Sequence, residues 1–109
     1  MIDRSKIHAK YGGHCAYCGK KITVKEMQVD HIKPLCNGGT GDFDNLNPSC
    51  RRCNHYKRGG DLETLRWLVD GLLERLHRVY IYKVALDYGL LTEHDWNGKF
   101  YFEREASNE

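Results

Sequence analysis

Two cysteine pairs, Cys15-Ala-Tyr-Cys18 and Cys50-Arg-Arg-Cys53, constrain this chain more than any other feature. Two residues between thiolates on a tight turn let both sulfurs face one ion, and two such turns complete a tetrahedron. The redox alternative, a thioredoxin-like pair, needs a single CxxC opening a helix within a βαβ unit. Two pairs with 31 residues between them fit a closed four-thiolate zinc site better. Binding at such a site is coupled to folding, so the zinc expected on Cys15, Cys18, Cys50 and Cys53 is structural. Cys36 is left over and reads as a small apolar filler or an inert free thiol. Five cysteines are an awkward number for a disulfide framework, and the first residues, MIDRSKIHAKYGG, contain no apolar signal-peptide core. Both observations point to the cytoplasm.

With 109 residues the sequence allows one domain of ordinary size, and a structural metal helps a domain this short. A hydrophobic content of 40% with 29% charged residues excludes disorder and a membrane span. The net charge of +2 conceals an asymmetry. Residues 1–60 carry 11 Lys/Arg against 5 Asp/Glu, whereas residues 61–109 carry 6 against 10. A basic front half joined to an acidic back half predicts a polyanionic partner for the front.

Local patterning divides the chain at the same place. Asp3 to Tyr11 reads as a short helix stopped by Gly12-Gly13. Met27 to Ile32 alternates apolar and polar residues for most of its length, the period of a half-buried strand, and Pro34 ends it. Cys36 to Asp44 is rich in Gly, Asn and Asp and reads as a loop. Leu46 and Pro48 mark a very short second strand. Arg51 to Arg58 contains no breaker and stops at Gly59-Gly60, which predicts a short basic helix. Asp61 then reads as the N-cap of a longer helix. Its seam of Leu62, Leu65, Val69, Leu72, Leu76 and Val79 suits packing on the zinc-bearing part better than a coiled coil. Tyr80 to Tyr88 continues that helix or starts another, and Lys99 to Glu103 reads as a final strand.

Asp30-His31, Asn45 and Asn54 lie between or beside the two cysteine pairs. Each alone is a weak signal, because a lone strand His or a turn Asn is usually structural. Together, on a strand–loop–helix held at both ends, they are what metal-assisted phosphodiester hydrolysis needs. Imidazole suits the base that activates water, and Asp and Asn oxygens suit a hard divalent cation. Alternation along the strand sends Asp30 and His31 to opposite sides, so the two side chains cannot easily share one task. His55 points about 100° away from Asn54 and reads as an outer phosphate contact or a surface His. Arg51, Arg52, Lys57 and Arg58 flank the cluster, with no acid between Asp44 and Asp61, and read as DNA-phosphate contacts. Lys20, Lys21, Lys25 and Lys33 extend the groove.

The run CAYCGK…VDHIKPLCNGGTGDFDNLNPSCRRCNHYKRG resembles the HNH endonucleases of the ββα-metal superfamily, in their zinc-bearing four-cysteine branch. The resemblance covers about Gly13 to Gly60 and implies an α+β fold. In that fold a small ββα-metal core, residues 1–60, is stapled by the zinc site. Residues 61–109 form a helical extension packed on it, with a short final strand, in the same domain. It further implies that His31 is the general base and Asp30 a ligand of the catalytic cation, Mg²⁺, Mn²⁺ or another divalent ion. Asn45 is implied to fix the loop and orient the His31 ring by a hydrogen bond. Asn54 stands where many members carry His and is implied to be the second metal ligand.

The implied activity is nicking or double-strand cutting of DNA that leaves 5′-phosphate and 3′-hydroxyl ends, in a bacterial or phage-infected cell. Two other readings are a zinc-stabilised DNA-binding module without catalysis and an accessory to phage terminase or packaging proteins. A degenerate site usually lacks its base or a ligand, and this sequence retains Asp30, His31, Asn45 and Asn54.

Overall fold

The computed structural model describes residues 2–107. Met1, Asn108 and Glu109, at the ends of the ranges 1–60 and 61–109 expected from the sequence, lie outside the described residues. Helix α1 (Arg4–Ala9) starts where Asp3 Oδ1 accepts from the N–H groups of Ser5 and Lys6, at 3.1 and 3.3 Å. The chain then makes a tight knuckle around the first cysteine pair. His14 bridges Lys21, Cys15 N–H donates to Lys20 O at 2.8 Å, and Gly19 N–H donates to Cys15 O at 3.0 Å. Gly19 adopts φ +83°, and a side chain there would collide with the Tyr101 ring.

Strands β1 (Gln28–His31) and β2 (Leu46–Ser49) pair antiparallel, with Gln28 opposite Ser49 and His31 opposite Leu46. The connecting loop contains two single-turn 3₁₀ segments, Leu35–Asn37 and Phe43–Asn45. Pro48 is tolerated inside β2 because the sheet has two strands and each has a free edge. Its carbonyl accepts from Ala16 N–H at 2.8 Å, which joins the hairpin to the knuckle. Helix α2 (Arg51–Lys57) follows at once, its first turn capped by the Cys50 sulfur. Arg58 closes it in the left-handed region at φ 53°.

The longer helix expected from Asp61 to Val79 is instead two, α3 (Leu62–Asp70) and α4 (Leu72–Leu76), and the segment from Tyr80 starts another, α5 (Tyr80–Asp87). Gly71 makes the first break. The Arg75 guanidinium folds back onto Leu68 O and the Tyr56 hydroxyl, and a Cβ at residue 71 would fall 2.7 Å from it. Extended backbone at Val79 makes the second break. Consequently only the first half of the apolar seam packs inward. Leu65 is buried and Leu62 and Val69 are half-buried against the core, whereas Leu72, Leu76 and Val79 are exposed.

The final strand expected over Lys99 to Glu103 is not formed; Tyr101–Ser107 is a helix, α6. An aromatic run has strong β propensity, but here tertiary contacts decide. Phe100 is buried, edge-on to the Tyr17 ring at 5.5 Å, and Phe102 lies edge-on to the same ring at 6.0 Å. The N–H groups of Tyr101 and Phe102 donate to the carbonyls of Tyr17 and Ala16. Glu103 then reaches back to the Phe100 N–H at 2.8 Å, which is the acidic half of a capping box and starts the helix. The core therefore draws on both halves: Ile7, Cys15, Ala16, Tyr17, Ile22, Met27, Leu46 and Cys50 from the front, Leu65 and Phe100 from the back. Among the described residues no helix is long and apolar enough to cross a membrane.

Arg66 clamps α6 to α3 through two bonds to the Glu103 carboxylate, at 2.8 and 2.7 Å. Arg66 holds the Glu103 carboxyl below its ordinary value. The bridge's contribution is thus complete above a pH of about 4.3 and is lost as pH falls through the depressed value. Glu103→Gln is expected to cost about 1 kcal/mol at pH 7. In melts recorded from pH 7 downwards, the gap from wild type should close in acid, since thiol protonation affects both proteins alike. A gap that stays constant with pH would refute the assignment.

Candidate metal centre and catalytic cleft

The knuckle and the start of α2 bring Cys15, Cys18, Cys50 and Cys53 together, with one sulfur of each within 4.8 Å of all the others. In a tetrahedral site with Zn–S bonds of about 2.3 Å the sulfurs sit about 3.8 Å apart. Cys18 and Cys50 stand at 3.9 Å. Cys15 and Cys50 are fully buried, and hydrogen bonds from Cys18 and Cys53 drive the Cys15 thiol far below its ordinary value. Spacing and burial both fit zinc. No Asp, Glu or His joins the cluster among the described residues, and four thiolates leave no open coordination position. The group they hold would be structural.

Beyond α2, a cleft of about 460 Å³ is lined by Asp30, His31, Asn54, His55, Arg58 and Gly59, among others. Strand β1 supplies the acid and the imidazole; α2 supplies Asn54 across from them. Carboxylate and amide oxygens lining one cleft are hard donors and suit a divalent cation with water in its remaining positions. A larger groove of about 580 Å³ runs beside the thiolate cluster, lined by Tyr17, Tyr56, Leu65, Trp96 and Phe100, with Arg52 and Arg104 at its edge. Its apolar walls hold no comparable set of acid, base and amide.

Asp30 is 5% exposed and is held by two buried donors. The Tyr17 hydroxyl donates to Oδ2, and the Lys57 ammonium lies 3.3 Å from Oδ1 and 3.2 Å from Oδ2. Burial pushes the Asp30 carboxyl up from the usual range, while Tyr17 and Lys57 oppose that shift by favouring the ionised form. Burial, reinforced by the Asp30 charge, also raises the Tyr17 hydroxyl, which stays a donor.

Two expectations are corrected here. Lys57 does not line the phosphate surface: its side chain is 0% exposed, and its ammonium also donates to His31 O at 2.9 Å and Gly60 O at 2.7 Å. The last turn of α2 lies against β1, so a residue three after Asn54 points into the protein, with three acceptors to meet it. Nor does Asn45 bond to the His31 ring. Its Oδ1 accepts from Lys33 N–H at 2.9 Å, and its Nδ2 donates to Lys33 O at 3.0 Å and Thr40 O at 2.7 Å. Asn45 thus ties the loop to the residues after β1 and has no donor left for the imidazole. Arg51, Arg52 and Arg58 are exposed, as phosphate contacts must be, and His55 is exposed at the cleft edge. Tyr17, which donates to Asp30, is a site residue that sequence reasoning missed. Its place between two thiolates was the available signal.

Residues 15–59 match the family model described as HNH endonuclease. Over 44 residues the chain is 46% identical to the CRISPR-associated endonuclease Cas9 of Corynebacterium diphtheriae, a stretch covering 39% of this chain and 4% of that protein. Over 33 residues it is 54% identical to the candidate HNH endonuclease of retron Vc95 from Vibrio cholerae, covering 30% of this chain and 16% of the relative. The crystal structure of the Type II-C Cas9 enzyme from Actinomyces naeslundii superposes with a TM-score of 0.54 at 31% identity, covering 59% of this chain and 7% of that one. The chain therefore spans a small part of each relative, and the residues matched by the family model include the four cysteines and most of the cleft lining.

Cys53→Ser removes one thiolate from a cluster whose binding energy is folding energy. The variant is expected to lose stoichiometric zinc, measured by metal analysis, together with its cooperative thermal transition. A Cys53→Ser protein that melts like wild type would eliminate the four-thiolate site.

Proposed function

We propose, from the premise that residues 15–59 are an HNH endonuclease domain, that the chain is a metal-dependent DNA endonuclease whose centre is the Asp30–His31–Asn54 cleft. The observation that carries the reading is the convergence of an imidazole, a carboxylate and an amide on one cleft, beside an exposed cationic surface. His31 is half-buried at that cleft, open to water and anchored by its backbone in β1. It accepts a proton from the attacking water as the new P–O bond forms. Asp30 and Asn54 hold the divalent cation. When bound there, Mg²⁺ or Mn²⁺ supplies neutralising charge to the transferring phosphate and the departing 3′ oxygen. Breakage of the P–O3′ bond leaves a 5′-phosphate and a 3′-hydroxyl.

Arg51, Arg52 and Arg58 hold the backbone of the duplex by phosphate contacts. Such contacts position the strand without reading its sequence. Sequence preference is expected to be weak, or to come from DNA shape or a partner. Asn45 contributes by shaping the loop after β1, which lines the cleft through Pro34 and Leu35. The extension from Asp61 onward closes the core with Leu65 and Phe100 and takes no part in the chemistry. Retention of base, acid and amide together favours catalysis over a binding module.

Conversion of supercoiled plasmid, with Mg²⁺, Mn²⁺ or EDTA, tests the proposal. Cleavage should require the divalent ion, and His31→Ala should reduce it by about 10²–10⁴-fold, the usual contribution of a general base. Zinc content and melting temperature should not change, because His31 lies outside the thiolate cluster. An active His31→Ala protein, or wild type inert with every divalent ion, would overturn the reading.

A further inference from the structure

Lys57 and Tyr17 are both absent from the chemistry described above, yet both spend their polar atoms on the same carboxylate. Tyr17 lies between Cys15 and Cys18, is 4% exposed, and is wedged edge-on between Phe100 and Phe102. Once the knuckle closes, its hydroxyl is delivered to a fixed point, where Asp30 Oδ2 accepts from it. Lys57 sits on the last turn of α2, the helix that begins at Cys50 and contains Cys53. Its ammonium has three protons and meets the Asp30 carboxylate, His31 O and Gly60 O. Both donors thus come from segments that the thiolates hold, and both end on the Asp30–His31 dipeptide.

From this arrangement we infer that Tyr17 and Lys57 are positioning residues, which fix Asp30 for cation binding and carry the order of the thiolate cluster into the cleft. The inference rests on the proposed function for the role of Asp30. A carboxylate accepts at about four lone-pair sites, so the two donors leave capacity for a further partner, and Asp30 and Asn54 line the same cleft. A carboxylate held by outer donors binds its ion without first being reoriented, and loss of such a donor usually costs 10–100-fold in metal affinity or activity. Lys57 further pins the carbonyl of His31, so one side chain sets the spacing between acid, base and α2. A buried ammonium of this kind does not bind the DNA backbone.

The test uses the full chain loaded with zinc. Mn²⁺ binding is followed by calorimetry and by the electron paramagnetic resonance of the free ion, with Asp30→Ala marking the site. Tyr17→Phe removes one oxygen and keeps the ring that packs on Phe100 and Phe102. It should weaken Mn²⁺ binding by about 10–100-fold and lower kcat, with zinc content and KM for DNA unchanged. A merely structural role would leave Mn²⁺ affinity where it was, and that result overturns the inference for Tyr17. Lys57→Met should leave the salt dependence of DNA binding as in wild type, whereas Arg58→Ala should reduce the slope by about one. An equal reduction for Lys57→Met would restore Lys57 to the phosphate surface and overturn its part. Wild type that binds Mn²⁺ at Asp30 but leaves plasmid intact refutes the nuclease reading alone, and the Tyr17→Phe affinity still decides the inference. Wild type that binds no Mn²⁺ refutes the inference itself.

Discussion

Convergence of four cysteine sulfurs is the interaction on which the rest of the molecule depends. A two-stranded sheet and a seven-residue helix bury too little to stand alone. The thiolates connect a knuckle near residue 15 to the start of a helix near residue 50, and everything between them becomes a closed loop. That loop contains both strands, the acid, the imidazole and the asparagine that holds the turn. Cys50 serves the site twice, since its sulfur also caps α2 by accepting from Cys53 N–H. Helix and thiolate cluster therefore share a residue.

The buried Asp30–Lys57 pair is the second constraint. Placing two charges inside a small protein costs desolvation energy, and removing one partner from such a pair typically destabilises by about 3–5 kcal/mol. Here Asp30, His31 O and Gly60 O meet the protons of the ammonium, and Tyr17 donates to the carboxylate as well. The arrangement makes sense as a way to keep a carboxylate charged and aimed at the wall of a cleft. It also changes the electrostatic reading of the surface. One of the basic residues around α2 is neutralised internally, and the arginines Arg51, Arg52 and Arg58 carry the outward field.

The acidic back half has a structural task that its composition hides. Leu65 and Phe100 enter the core, Phe100 and Phe102 hold the Tyr17 ring, and the Arg66–Glu103 bridge fastens the last helix to α3. The aromatic residues of the extension thereby touch the same tyrosine that reaches the Asp30 carboxylate. Past Gly71, α4 and α5 bury no residue, and Tyr80, Ile81, Tyr88 and Leu90 are exposed.

Local chemistry was enough to reveal much of this protein. Paired CxxC turns define a four-thiolate site through spacing alone, and the helix starts at Asp3 and Asp61 follow from capping. Alternation placed Asp30 and His31 on opposite sides of a strand, and β1 keeps them there. What escaped the sequence depended on contacts between distant segments. Lys57 reads as a surface cation until α2 is laid against β1, where three acceptors 3, 26 and 27 residues away meet its ammonium. Lys99 to Glu103 reads as a strand until Phe100 is buried against Tyr17 and Glu103 caps the turn. Asn45 reads as a partner for the imidazole until its amide is spent on Lys33 and Thr40. Residue spacing determined which groups gather at the metal and at the cleft, because ligand geometry is local. Which way each polar side chain turns was left to tertiary structure, because a buried donor goes to whichever acceptor the packed chain puts within its reach.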